Sequence, residues 1–197
     1  MKHSSKFAVL LAFIVIAVAL VAWGLTVFSG NDAKRIERAV LNDDADEVDE
    51  LLKRGFDPNF PFRRSKGGQS ETRLLHYAVM CGSRMALKRL LDHGADPNLR
   101  DFSGKLPLMV LFSHGVTDDF VEGGMFGDLF PVTDLSIVDK SGNSVLHYIA
   151  YYGSDKYYSA VIRRYPSLEE LKNNAGKTPK EIHDRRSVPN GTSGGGP

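Results

Sequence analysis

The chain holds a single cysteine, Cys81. One thiol closes no disulfide within the chain and builds no cysteine metal set. An excess of charge of one sign is missing too: 25 Lys and Arg stand against 24 Asp and Glu, a net of +1. That balance argues against the strongly basic face on which nucleic-acid binding rests. The sequence has no G-x-S-x-G elbow, no H-E-x-x-H helix and no phosphate-cradling G-x-x-x-x-G-K-[ST] loop. The hydrolase, metalloprotease and nucleotide signatures are therefore absent. The expectation is a non-catalytic chain with no cofactor, no metal and no small-molecule substrate.

What is present begins with an apolar run. Lys2 and Lys6 lie in a short basic start, residues 1–6, ahead of FAVLLAFIVIAVALVAWGLTVF at residues 7–28, which carries no charge. At about 1.5 Å per residue a helix of this length crosses a hydrocarbon core of roughly 30 Å. Trp23 sits near its far end, where an amphipathic ring suits the interface. A cleaved secretory signal is the competing reading. It calls for an apolar region of about 7–15 residues and a small-x-small site, which Ala22-Trp23-Gly24 matches poorly. Residues 7–28 therefore read as an uncleaved transmembrane anchor. Lys34, Arg35 and Arg38 after the run nearly balance the charges before it. The basic start tips the orientation towards a cytoplasmic N-terminus and an exported body, at the inner membrane and on its periplasmic side.

Beyond the anchor the chain repeats itself, a pattern that takes precedence over local structure. Ala39, Ala78 and Ile149 are each followed at +9, +12 and +13 by apolar residues: Val48 with Leu51-Leu52, Leu87 with Leu90-Leu91, and Tyr158 with Val161-Ile162. That spacing is one face of a short helix. In the first two copies Gly55 and Gly94 follow and open G-x-D-P-N. Glycine accepts the left-handed backbone that ends a helix, and proline forbids its continuation. A second helical stretch precedes each of the last two, Leu75-His76-Tyr77-Ala78 and Leu146-His147-Tyr148-Ile149. Such a helix–turn–helix unit cannot bury its own apolar face, so neighbours must stack.

These residues resemble the ankyrin repeat, marked by T-P-L-H-x-A, a glycine, V-x-x-L-L-x-x-G-A-D-x-N and D-x-x-G. Residues 72–108 carry the pattern through LLHYA, LKRLLDHGADPN and Asp101-Phe102-Ser103-Gly104. Residues 139–153 carry Asp139-Lys140-Ser141-Gly142 and SVLHYIA. Residues 34–59 match the second half of a unit, and GKTPKEIH at 176–183 opens an incomplete last one. The resemblance implies an all-α ankyrin-repeat solenoid of four to five units over residues 31–184, with short turn or hairpin tips, plus the N-terminal transmembrane helix. The usual unit has about 33 residues, so insertions are expected near 60–71 and 115–137. In the third unit, Gly123-Gly124 stand where the pattern has Leu-Leu, and Met109 stands where it has His. A shortened second helix with an irregular loop is expected there. Phe120, Phe126, Leu129 and Phe130 either plug the core or form an exposed patch. Residues 185–197 have no apolar period and read as a disordered tail.

The histidines of L-H-x-A, His76 and His147, are expected to bond between neighbouring units, as the family's do, and His93 to suit a helix C-terminus. The acidic run DDADEVDE, residues 43–50, reads as a solvated helix face and N-terminal turn. In the family, the two residues before the glycine between the helices face the concave groove. Here these are Leu41 and Asn42, Met80 and Cys81, Ser113 and His114, and Tyr151 and Tyr152. The adjoining turn tips bring Phe102, Ser103 and Lys105, then Lys140, Ser141 and Asn143. Aromatic residues and Met are what interface cores enrich, so these fourteen positions form the candidate protein-binding face. The alternative for Tyr151 and Tyr152 is that they cap the rim of the last unit. The expected partner is another protein, with the membrane reached through residues 7–28. A small single-pass chain of this kind resembles bacterial immunity proteins that occlude a secreted toxic effector, such as a lipase-like enzyme of the type VI system. It also resembles envelope ankyrin proteins that support a catalase. A scaffold of a membrane complex is a third class.

Overall fold

The computed structural model describes residues 30–63, 71–113 and 124–187. The run at 7–28, His114, Phe120 and residues 188–197 lie outside the described residues. Among the described residues no helix is long and apolar enough to cross a membrane.

Apolar residues recurring on one face produce paired helices. The first pair is α1 (Gly30–Leu41) and α2 (Ala45–Lys53), followed by a hairpin of β1 (Pro61–Arg63) and β2 (Glu71–Arg73). Then come α3 (Leu74–Cys81) with α4 (Arg84–Asp92), α5 (Pro107–Ser113) with the single turn α6 (Phe126–Leu129), and α7 (Val145–Tyr152) with α8 (Asp155–Arg164). A 3₁₀ turn at Pro166–Glu170 leads to α9 (Pro179–Ser187). The inner helices α1, α3, α5, α7 and α9 pack in that order, each on the next, and the outer helix α2 packs on α4. Leu74 to Val79 of α3 and Val145 to Ala150 of α7 are buried throughout. An inner helix is enclosed by two neighbours and its own partner, so no dry stripe distinguishes its faces. The outer α4 is amphipathic: Ala86, Leu87 and Leu90 are buried while Met85 is half exposed. Each fully buried leucine contributes about 1.5–3 kcal/mol by leaving water.

Polar atoms set the register between units. In both copies of D-P-N, the aspartate turns back on the asparagine amide, Asp57 on Asn59 and Asp96 on Asn98, each at 2.8 Å. The asparagine side chain is left pointing onward. Asn59 Oδ1 accepts from the Asp96 amide at 2.8 Å, and Asn98 Oδ1 from the Asp134 amide at 2.7 Å. The motif recurs because each copy supplies the acceptor for the next unit's turn. Helix starts are shared in the same way. Asp44 caps α2 through the Glu47 amide. The cap residue of α4, Ser83, makes no such side-chain bond. Instead Asp43 from the preceding unit accepts from the Ala86 amide at 2.8 Å. Asp49 meets His93 at 2.8 Å across the two outer helices, so His93 joins neighbouring units as well as ending α4. The acidic run is thus largely engaged within the stack.

The third unit departs from the others for visible reasons. Met109, in the histidine position, is fully buried. On the outer side of this unit the described residues hold the single turn α6, and aromatic rings pack around it. Phe126 stacks on Phe130 with centroids 4.8 Å apart and meets Tyr157 at 4.8 Å and Phe112 at 6.0 Å. Phe126, Leu129 and Phe130 therefore plug the core. Gly124 has φ +98°, and a Cβ there would fall 2.3 Å from the Arg84 guanidinium carbon. Arg84 crosses this glycine to pair with Asp128 at 2.8 Å. At the far end α9 runs to Ser187, so residues 185–187, expected in the disordered tail, are helical. The reason lies outside the local sequence: Arg186 bonds the carbonyls of Ile149 and Gly153 and the Asp155 carboxylate.

The turn tips repeat one geometry. Asp101 Oδ1 accepts from the amides of Ser103 and Lys105, and Asp139 Oδ1 from those of Ser141 and Asn143, all at 2.8 Å. Asn173 does the same at 3.0 Å for Ala175 and Lys177. Adjacent tips then bond, Lys140 amide to Ser103 carbonyl at 3.3 Å and Asn174 amide to Ser141 carbonyl at 2.9 Å. Each inner-helix histidine secures the following tip: His76 Nε2 donates to the Lys105 carbonyl at 2.9 Å and His147 Nε2 to the Lys177 carbonyl at 3.1 Å. Ser144 shows the difference between the two. It sits against His147 Nδ1 at 2.9 Å, whereas Arg73 holds the matching place before His76, whose Nδ1 is buried without a partner.

Two outcomes follow from this arrangement. Gly142 has φ +76°, and a Cβ there would lie 2.6 Å from Asn174 Oδ1 and 2.9 Å from its amide. Gly142→Ala should therefore cost more than about 1 kcal/mol in urea unfolding; an unchanged midpoint would refute tip-to-tip locking. Burial pushes the pKa of both His76 and His147 below the ordinary value, against the raising effect of their carbonyl bonds. The unfolded chain then binds protons that the native chain refuses. Stability from this source is complete above about pH 6.5 and falls as pH drops from there towards the native values. The urea midpoint should decline from pH 7.5 to 5.5, and His147→Gln should flatten that decline.

Candidate protein-interaction surface

The tips and the ends of the inner helices meet along one side of the stack. Phe102, Ser103 and Lys105 from one tip and Lys140, Ser141 and Asn143 from the next line an open hollow of about 470 Å³, with Asp139 and Tyr148 at its floor. Lys105, Asn143 and Tyr148 also line a second hollow of about 190 Å³, completed by Ser113, Tyr151 and Tyr152. Three shared residues make the two hollows one groove. Nine of the fourteen expected positions line it. Leu41, Asn42, Met80 and Cys81 sit at the ends of α1 and α3 and do not line it. Leu41 and Asn42 are exposed, and Met80 and Cys81 are half-buried. His114 lies outside the described residues.

Local sequence explains why the rim is aromatic. Tyr151 and Tyr152 end α7, past the last buried residue, Ala150, and are 51% and 58% exposed. Their rings are tilted with centroids 5.8 Å apart. Their half exposure separates them from Tyr157 and Tyr158 of the same unit, both buried. Phe102 is 50% exposed at a tip position where only the preceding Asp and the following Gly are constrained by the turn.

Two floor residues escaped sequence reasoning. The Tyr148 phenol donates to Asp139 Oδ2 at 2.6 Å. Burial and this bond to an anion push the phenol pKa upward, so the group stays a donor. For Asp139, burial works against the charge, yet bonds from Tyr148, Asn143 and Ser141 prevail and hold its carboxyl below the usual range. The Lys105 ammonium lies over the Tyr148 ring, 5.1 Å from its centroid. The available signal was tyrosine after L-H, nine residues beyond the tip aspartate. The chemistry of the groove is recognition: donors and ring faces, with its one carboxylate already engaged. Among the described residues no group of three or more His, Cys, Asp and Glu is placed to hold a metal ion.

Comparison with known proteins agrees with this geometry. Residues 74–102 match the family model of the ankyrin repeat. The E3 ubiquitin-protein ligase HACE1 of Xenopus tropicalis is 46% identical over 70 residues, 35% of this chain and 7% of that protein. Human HACE1 is 44% identical over 70 residues, with the same shares. Human SH3 and multiple ankyrin repeat domains protein 2 is 29% identical over 169 residues, covering 71% of this chain and 9% of that protein. The chain thus spans less than a tenth of the length of the curated relatives it matches. It carries an ankyrin repeat in a mostly helical stack, the architecture of a protein-binding module.

Tyr148→Phe should lower stability by about 1–2 kcal/mol, because it removes a bond to a charged acceptor that keeps other partners. The same change should raise the Asp139 pKa. Urea unfolding and a carboxylate NMR titration would check both, and an unmoved carboxylate would show that the phenol does not hold the tip.

Proposed function

We propose that this chain binds another protein along the groove between Phe102 and Tyr152, without chemistry of its own. The observation that supports this most is the sharing of Lys105, Asn143 and Tyr148 by two adjoining hollows rimmed by exposed aromatic rings. A rigid stack presents such a surface already ordered, so little entropy is lost when a partner docks. The half-exposed rings of Phe102, Tyr151 and Tyr152 are the anchors, since buried aromatic contacts dominate binding energy at interfaces. No ligase role passes to this chain from its relatives, whose matched regions are small parts of much longer proteins.

Within that reading, residues 7–28 tether the module to a membrane, and the groove occludes an exported lipase-like effector, as the resemblance to immunity proteins implies. The competing occupant is an oxidative-stress enzyme such as a catalase. Affinity purification with the full chain, read by mass spectrometry, separates the two. A lipase-like partner that loses activity on binding supports occlusion, and a catalase that keeps its activity replaces it.

Tyr151→Ala with Tyr152→Ala should weaken the recovered complex by roughly 10- to 100-fold. The melting temperature should stay unchanged, because both side chains already face solvent. Undiminished binding by this folded variant would remove the groove from the interface.

A further inference from the structure

The groove is uneven in its charge chemistry. Several cations elsewhere in the stack sit beside acids: Arg35 of α1 with Glu47 at 2.7 Å, Lys53 of α2 with Asp49 at 2.5 Å and Arg84 of α4 with Asp128 at 2.8 Å. Along the tips, Lys105, Lys140 and Lys177 have no carboxylate within ion-pair distance among the described residues. Lys105 is half-buried and leans on the Tyr148 ring. The one acid lining the groove, Asp139, receives the Tyr148 phenol, the amides of Ser141 and Asn143, and the Asn143 side chain. Its lone pairs are taken and its charge is spread over four donors. What faces outward is a set of donors, ammonium, hydroxyl and amide, beside three aromatic rings.

We infer that the segment received by this groove is acidic and extended, with carboxylates on Lys105 and Lys140 and apolar side chains between Phe102 and Tyr152. The inference rests on the groove being the protein-binding face and names the chemistry of its occupant. A carboxylate is an acceptor without donors, and so matches a rim that donates. A basic segment would leave its own cations opposed to the two lysines, a repulsion that excludes wrong partners. The acidic run at 43–50 of a second copy does not supply the segment. It is committed, Asp43 and Asp44 to helix starts, Glu47 to Arg35, and Asp49 to Lys53 and His93. A polyanionic nucleic acid offers phosphates to the lysines and bases to the rings, and is the alternative that the experiment must separate.

The test uses the purified full chain and fluorescence anisotropy with three labelled probes. They are a short peptide of Glu with Phe at every third position, the same peptide with Lys for Glu, and a single-stranded oligodeoxynucleotide. The Glu/Phe peptide should bind saturably and lose about tenfold in affinity as salt rises from low to physiological strength and above. The Lys/Phe peptide should not bind. Lys105→Glu with Lys140→Glu should weaken the acidic peptide at least about 30-fold. Lys88→Glu, on the outer face of α4, should leave it within about twofold. Equal binding of both peptides, indifference to the lysine changes, or tighter binding of the oligonucleotide in the same groove would overturn the inference. If the acidic peptide fails while the native partner is still lost in the Tyr151/Tyr152 variant, the groove remains the interface and only its chemistry was misassigned. If the native partner survives both variants, the interface itself lies elsewhere.

Discussion

Asn98 reaches out of one unit to accept the Asp134 amide of the next at 2.7 Å, and Asn59 does the same for Asp96 one step earlier. These bonds and the tip contacts from Lys140 to Ser103 and from Asn174 to Ser141 fix how far one unit is turned and shifted on its neighbour. Burial of Leu74, Leu87, Leu108 and Leu146 supplies the larger free energy, but burial has no direction and tolerates sliding. Hydrogen bonds contribute little net energy each, yet are costly when left unmade in a dry interface. Register is therefore held by the groups that have most to lose from a wrong one. The groove depends on that register: Lys105 and Tyr148 come from different units and face each other only when the tips align.

The third unit shows how far the stack bends without breaking. It has Met109 where the second and fourth units have His76 and His147. Met109 fills the inner position, and the rings of Phe112, Phe126, Phe130 and Tyr157 fill the outer one. Aromatic side chains cover large areas with few rotatable bonds, so Phe126 on its single turn packs against rings from both neighbouring inner and outer helices. Arg84 and Asp128 close the gap over Gly124, whose positive φ suits glycine and whose bare Cα lets the guanidinium pass. Among the described residues this unit contributes Ser113, at the end of α5, to the groove.

Binding and stability share residues here. Asp139 is the structural centre of one tip and the floor of the groove. Because it is held charged by its own loop and by Tyr148, it organises the backbone without presenting an open carboxylate to a partner. Among the described residues the lysines beside it are left without acids, while Arg35, Lys53 and Arg84 are paired. A surface whose cations are satisfied internally has little to gain from an acidic partner, and one whose cations are not has more.

The repeat and the paired helices of the second and fourth units were legible in the sequence, as was the place of Tyr151 and Tyr152 at a helix end. Those properties are local: a period of apolar residues, a glycine that ends a helix, and a ring placed past the last core position. Residues that line the groove were legible for the same reason, since equivalent positions in a repeat face the same way. Tertiary structure alone decided that Tyr148 holds Asp139, that Asp43 starts the helix of the following unit, that Phe126 turns inward, and that α9 continues to Ser187. Most of these join one unit to the next, between residues some 30 to 45 positions apart. The Tyr148–Asp139 pair is closer in sequence but depends on how the tip folds over the helix behind it. A periodic pattern states which residues face inward; it does not state which partner each meets once the units are in register.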